Sequence, residues 1–189
     1  MAKRYNHYDA AFEAYLRRAG VPLVVVDEAR RARLNQVSLK SMDFIVTAPG
    51  NRNLLVDVKG RRFPSGCGPE RSRAGHKWEN WATRDDLDSL CRWQEVFGDG
   101  FRSMLVFAYD LLDAQAADDL AADVGIGSGA EGAGAGAFFH RGRVYSFFGV
   151  WADEYQTAMH ARSQSWETVS VRSREYRDLR IPVAELLRC

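Results

Sequence analysis

Two apolar segments joined by a tight reversal constrain this chain more than any other feature. Ser41-Met42-Asp43-Phe44-Ile45-Val46-Thr47 and Leu54-Leu55-Val56-Asp57-Val58-Lys59 flank Pro49-Gly50-Asn51-Arg52-Asn53. Proline, glycine and asparagine supply the dihedrals that a reversal needs, so the segments read as an antiparallel hairpin. Side chains alternate along a strand. Phe44, Val46, Val56 and Val58 therefore share one face, and Ile45 and Leu55 the other. A sheet apolar on both sides is covered on both sides, which argues for α/β layering. With the turn centred near Gly50, Asp43 falls opposite Asp57, and Lys59 shares the face of Asp57. Cross-strand neighbours on one face lie roughly 5 Å apart. Two carboxylates at that separation repel by about 3 kcal/mol at an effective dielectric near 20. A bound divalent cation offsets this repulsion, and an oxygen-only donor set suits Mg²⁺ or Mn²⁺.

The rest of the chain supplies layers for such a sheet. Asn6 is placed to cap a helix from His7 to Ala19 that stops at Gly20, with Tyr8, Phe12, Leu16 and Ala19 as its buried stripe. Residues 21–26 read as a β-branched central strand. A long glycine- and proline-rich loop from Gly60 carries Arg61, Arg62, Arg71, Arg73, His76 and Lys77. A helix follows within Trp78–Phe97, starting in earnest near Thr83 or Arg84, then a buried strand at Ser103–Tyr109. Asp110–Asp123 reads as a surface helix and Gly125–Gly136 as a loop. A hairpin turns at Arg141-Gly142-Arg143. A helix at Trp151–Arg162, a strand near Trp166–Val171 and a short helix at Val183–Leu187 complete the expected order. The expectation is one domain over 1–189, with a core at about 6–110 and a C-terminal hairpin-and-helix extension at about 137–189.

Net charge is +1, so no global basic field drives nucleic-acid binding, although local basic groups remain. No apolar run reaches the length of a membrane span, and no signal peptide precedes the first helix. Cys67, Cys91 and Cys189 are scattered and odd in number, which reads as free thiols and a cytoplasmic location.

An acid opening one strand and an acid-x-Lys in the next resemble the PD-(D/E)XK phosphodiesterases, which include restriction enzymes and archaeal Holliday-junction resolvases. Met42 stands where the family name has proline. The resemblance implies a restriction-endonuclease-like core: a mixed central sheet with helices on both faces. It also implies a Mg²⁺- or Mn²⁺-dependent nuclease, an endonuclease on DNA, with Asp43, Asp57 and Glu13 as metal ligands and Lys59 orienting a water or neutralising developing charge. Gln94 would orient water or phosphate, as glutamines of the corresponding helix do in that superfamily. Relatives often form homodimers, but no interface is legible here. A second likeness covers most of the chain. His7-Tyr8-Asp9-Ala10-Ala11-Phe12-Glu13 resembles the signature of the HYExAFE family, bacterial proteins of unknown function found mainly in planctomycetes. The likeness continues through Leu39–Phe44, Asp57–Arg61 and Arg162–Val169.

Each candidate has a plainer reading. Asp57 and Lys59 also suit a solvated strand end. Glu13 has Arg17 four residues on, an ordinary helix salt bridge worth roughly 0.3–0.5 kcal/mol. Gln94 also suits a solvent-facing helix position. Arg61, Arg62, Arg71, Arg73 and Lys77 either grip phosphates or line a solvated loop. Trp78 and Trp81 either stack on unpaired bases or pack. The alternative to a nuclease is therefore a catalytically inactive module of the same fold that binds nucleic acid or a protein partner.

Overall fold

The computed structural model describes residues 6–27, 32–34, 37–50, 52–63, 78–111 and 137–188. Arg71, Arg73, His76, Lys77, the acidic stretch after Leu111 and the glycine-rich run lie outside the described residues.

Helix α1 (His7–Arg18) begins where the Asn6 side chain accepts the Tyr8 N–H at 3.1 Å. It ends before Gly20, whose φ of +70° reverses the chain without a Cβ clash. Its buried residues are Asp9, Ala11, Phe12 and Leu16. Tyr8 is only half-buried and Ala19 is exposed, so the stripe is rotated from the expected one. Strand β1 (Leu23–Val25) follows, then β2 (Ala32–Leu34) and β3 (Val37–Leu39), which pair with each other as a separate two-stranded sheet. The expected hairpin is β4 (Phe44–Ala48) and β5 (Arg52–Phe63). Its register pairs Phe44 with Val56 and Val46 with Leu54, and Gly50 takes φ +78° in the turn.

Strand β6 (Ala82–Thr83) leads into α2 (Arg84–Phe97), and β7 (Phe101–Leu111) returns parallel to β5. The hairpin of β8 (Phe138–His140) and β9 (Arg143–Trp151) comes next, followed by α3 (Ala152–Ala158), β10 (His160–Ser163) and β11 (Thr168–Ser170). Helix α4 (Ser173–Leu179), β12 (Ile181–Pro182) and α5 (Val183–Leu186) close the chain. The main sheet runs β1-β4-β5-β7-β9-β12, with β8 beside β9. Among the described strands only β5 and β7 pair in parallel, so the sheet is mixed. A second small sheet, β10-β11-β6, stands at the start of α2.

Two cores cover the two faces, as the double-sided hydrophobicity requires. On one, Ala11, Phe12 and Leu16 of α1 pack with Phe44, Val46, Val56, Val58 and Val106. On the other, Leu87 and Leu90 of α2 pack with Leu55, Leu105 and Phe107. Among the described residues no helix is long and apolar enough to cross a membrane.

Four expectations need correction. The 21–26 strand is an edge, not central, and Val24 is 59% exposed; β-branching favours strands wherever they lie and does not encode position. Residues 60–63 continue β5 rather than open a loop, because they pair with β7 as far as Leu111. Gly60 is there because the Tyr8 ring lies where its Cβ would be, 2.1 Å away. Residues 78–81 take no regular structure and Ala82–Thr83 form a short strand, so no helix begins at Trp78; it starts at Arg84, one of the two expected starts. The expected helix at 151–162 ends at Ala158 and gives way to β10, while α4 has no counterpart among the expected elements.

Candidate active site

Residue parity on β5 decides what meets what. Val56, Val58 and Gly60 face α1, whereas Asp57, Lys59 and Arg61 face α2. Asp43 sits just ahead of β4. Its backbone N–H donates to Val56 O at 2.9 Å, and its carbonyl accepts from Val26 N at 2.9 Å. Its carboxylate Oδ2 accepts the Val58 N–H at 2.5 Å. The paired register ends at Phe44–Val56, and Asp43 bonds the backbone of Val56 and Val58, the residues on either side of Asp57. Both aspartates are buried.

Lys59 is the hinge of the cluster. Its Nζ lies 2.7 Å from Asp57 Oδ2 and 2.9 Å from Asp86 Oδ2. Asp86 also takes the Lys40 ammonium on Oδ1 and the Thr83 N–H at 3.0 Å. The Thr83 hydroxyl accepts the Asp86 N–H at 3.1 Å, which completes a capping box at the start of α2. The segment leading to Asp43 is tied to the same helix. Lys40 N donates to Ser89 Oγ at 3.0 Å, and Trp93 Nε1 donates to Lys40 O at 2.8 Å. A tight groove with no room for a water is lined here by Lys40, Ser41, Met42, Asp57, Asp86 and Leu90.

The electrostatics follow from this packing. Burial pushes the Asp57 carboxyl up, against the opposing pull of Lys59. Lys59 is held above its ordinary value because two carboxylates outweigh its desolvation. The Lys59 ammonium outweighs burial at Asp86 too, and with the bonds from Lys40 and Thr83 it holds that carboxyl well below the usual range. Asp57 and Asp86 thus face two lysines.

The other expected site residues are placed differently. Glu13 Oε1 accepts from Arg17 at 2.8 and 3.0 Å, on the helix that covers the opposite face of the sheet. Gln94 lies two turns beyond Asp86 on α2, where its Oε1 accepts the Ser103 N–H at 2.6 Å and anchors the start of β7. Arg61 is buried. It donates to the carbonyls of Gly60 and Trp81, and its guanidinium stacks 3.7 Å over the Trp81 ring. Arg62 is exposed and pairs in register with Asp110. Asp86 and Lys40 enter the cluster although no expectation placed them there. The legible signal was Thr83-x-x-Asp86, a capping box that points a carboxylate back toward the helix start.

A second polar group lies on the α1 face. His7 Nδ1 is 2.8 Å from Tyr145 Oη, Tyr8 sits over Gly60, and Arg143 bonds buried Asp110. Partial burial lowers the His7 pKa, with Arg143 adding to the effect, and pushes the Tyr145 phenol up to about 12. The first helix thus spends its histidine on packing across the sheet from Lys59.

With this arrangement in view, the comparisons are informative. Archaeoglobus fulgidus Hjc, a Holliday junction resolvase from an archaeal hyperthermophile, superposes with a TM-score of 0.51 over 96% of this chain and 98% of that one. The fold is restriction-endonuclease-like. Sequence identity with that resolvase is 13%, so the likeness is one of architecture. No protein-family model matches the chain, and no curated protein matches it. Among the described residues of this resolvase-like fold, no group of three or more histidine, cysteine or acidic side chains is arranged to hold a metal. Lys59 stands between the carboxylates instead. The donor chemistry nonetheless fits a hard cation: the groups are all carboxylates, and desolvated Asp57 gains most from a positive charge.

Proposed function

We propose that this chain is a divalent-cation-dependent nuclease of the resolvase-like fold, cutting phosphodiester links within DNA strands. The observation that carries the reading is Lys59, bracketed by Asp57 and Asp86 beside Asp43 at the end of the central hairpin. Asp43 and Asp57 would hold Mg²⁺ or Mn²⁺, with Asp86 as the third acid; Glu13, bonded to Arg17 across the sheet, takes no part in this reading. Such a cation supplies Lewis-acid stabilisation of a phosphoryl oxygen and makes water a better nucleophile. Lys59 is kept protonated, so it acts as a cation and not as a base. Released from one carboxylate, its ammonium would neutralise charge developing on the phosphate. Arg62 is exposed where β5 ends but its charge acts on His7 and Tyr8, on the α1 side of the sheet, so the proposed contact with the DNA backbone falls to Arg71, Arg73 and Lys77. Kinship with the HYExAFE proteins, proposed on the motifs alone, adds no substrate.

Titration calorimetry with Mn²⁺ tests the site. The intact protein takes up the ion, and Asp57→Asn abolishes the heat. Branched, single-stranded and duplex DNAs incubated with Mg²⁺ or Mn²⁺ test catalysis, with Lys59→Ala as the inactive control. Absence of Mn²⁺ uptake would refute the proposal. One observation favours the second reading, a binding module without catalysis: the lysines already compensate Asp57 and Asp86. DNA that is retained but never cut would establish that reading.

A further inference from the structure

The β10–β11 hairpin stands beside the acid–lysine cluster and is joined to it by backbone. Strand β11 pairs with β6, Thr168 with Thr83 and Val169 with Ala82. Arg84 N donates to Glu167 O at 2.9 Å. The residue that caps α2 above Asp86 is therefore also a rung of this ladder.

The two faces of the hairpin differ. Ala161 and Ser163 look into an open cavity of about 360 Å³ shared with α2, whose rim includes Asp85, Asp88 and Glu167 against the single cation Arg84. Arg162 points the other way. Its guanidinium lies 5.1 Å over the Trp81 ring, which Arg61 also stacks on, and its pairing with Glu79 is long at 3.8 Å. Its side chain keeps 43% exposure. Arg61 follows Lys59 by two residues on the same face of β5, a step of roughly 7 Å. The arginine–tryptophan stack therefore starts at the next same-face position after Lys59.

The turn of the hairpin presents Trp166, 78% exposed and without a ring partner among the described residues. Glu167 beside it takes φ +47°, a left-handed conformation that costs a non-glycine residue about 1–2 kcal/mol. A turn closed by Glu167 N to Gln164 O at 3.3 Å holds this geometry. An indole held out in solvent on the same hairpin as a half-exposed arginine offers the two contacts that unpaired nucleotides take: a stacking platform and a phosphate contact. The carboxylates on the cavity side repel phosphate and keep the backbone on the arginine side.

We infer that the β10–β11 hairpin is a single-strand-binding arm, in which Trp166 stacks on an unpaired base and Arg162 contacts the adjoining phosphate. The inference rests on the nuclease reading for its substrate. It names that substrate as nucleic acid with unpaired bases next to the link to be cut.

Fluorescence anisotropy in EDTA separates the two readings, because no cleavage is needed. Labelled oligo-dT and a blunt duplex of equal length are the probes; oligo-rU alongside separates RNA from DNA as the source of the bases. Wild-type protein prefers oligo-dT. Trp166→Ala weakens oligo-dT binding about 5- to 100-fold and leaves duplex binding unchanged, and Trp166→Phe restores most of it. Arg162→Gln lowers the salt slope by about one. Trp166 is exposed, so an unchanged thermal midpoint verifies the fold. Binding of oligo-dT within about twofold of wild type for Trp166→Ala, or equal loss on both probes, overturns the inference. A protein that binds through Trp166 but never cuts would sink the nuclease reading alone. One that cuts while indifferent to Trp166 would sink the arm alone.

Discussion

Replacing Lys59 with methionine removes the one cation between two buried carboxylates and keeps most of the side-chain volume. Asp86 retains Lys40 and the Thr83 N–H, so it stays ionised. Asp57 loses the 2.7 Å contact that opposes its desolvation. It can escape by taking up a proton, and this sets a ceiling on the damage. Protonating a carboxyl of ordinary pKa 3.8 costs 1.36 kcal/mol per pH unit above that value, or about 4 kcal/mol at pH 7 and about 2 kcal/mol at pH 5. Truncating one partner of a buried pair costs about 3–5 kcal/mol in general, so the pH 7 loss should sit near that ceiling. The sign follows from linkage: the Asp57 penalty exists above its unfolded pKa and is relieved as pH falls toward it. Urea unfolding followed by tryptophan fluorescence at both pH values measures the loss. Lys59→Met with Asp57→Asn should recover at least about 2 kcal/mol relative to the sum of the single changes at pH 7. Equal losses at both pH values, with the double variant simply additive, would refute the claim that this ion pair governs the site.

Asp86→Asn should flatten the acid limb of stability. The depressed Asp86 pKa contributes stability that is present above 3.8 and lost as pH falls toward its folded value, so circular dichroism below pH 4 should separate wild type from variant less than at neutral pH. Gly60→Ala should cost about 1–3 kcal/mol by thermal unfolding, because its Cβ would meet the Tyr8 ring; adding Tyr8→Ala should recover part of that. Gln94→Ala should cost about 1 kcal/mol through the orphaned Ser103 N–H and leave Mn²⁺ heats unchanged. A loss of Mn²⁺ binding in that variant would return Gln94 to the active site.

The hairpin, its turn and the shared face of Asp57 and Lys59 were legible because strand alternation is strict and the turn residues are distinctive. The layering was legible for the same reason: Val56 and Val58 oppose Leu55 across a sheet that needs cover twice. What stayed hidden depended on distant partners. Gly60 looks like the start of a loop until Tyr8, far away in sequence, is seen resting on it. Arg61 looks like a phosphate contact until Trp81 claims its guanidinium. Asp86 looks like one of several first-turn acids serving the helix dipole. Only the capping geometry and the crossing of α2 over β5 single it out. Glu13 and Asp9 share a helix face by spacing, yet no spacing rule says which side of the sheet that helix covers.

Thr83 belongs to two structures at once. It is the last rung holding the arm and the first link of the helix whose aspartate grips Lys59. A strand drawn tight across Trp166 would therefore tug, through a couple of backbone bonds, on the very carboxylate that restrains the ammonium. Grip on the adjoining arm and freedom of the lysine become mechanically linked, with no moving domain required.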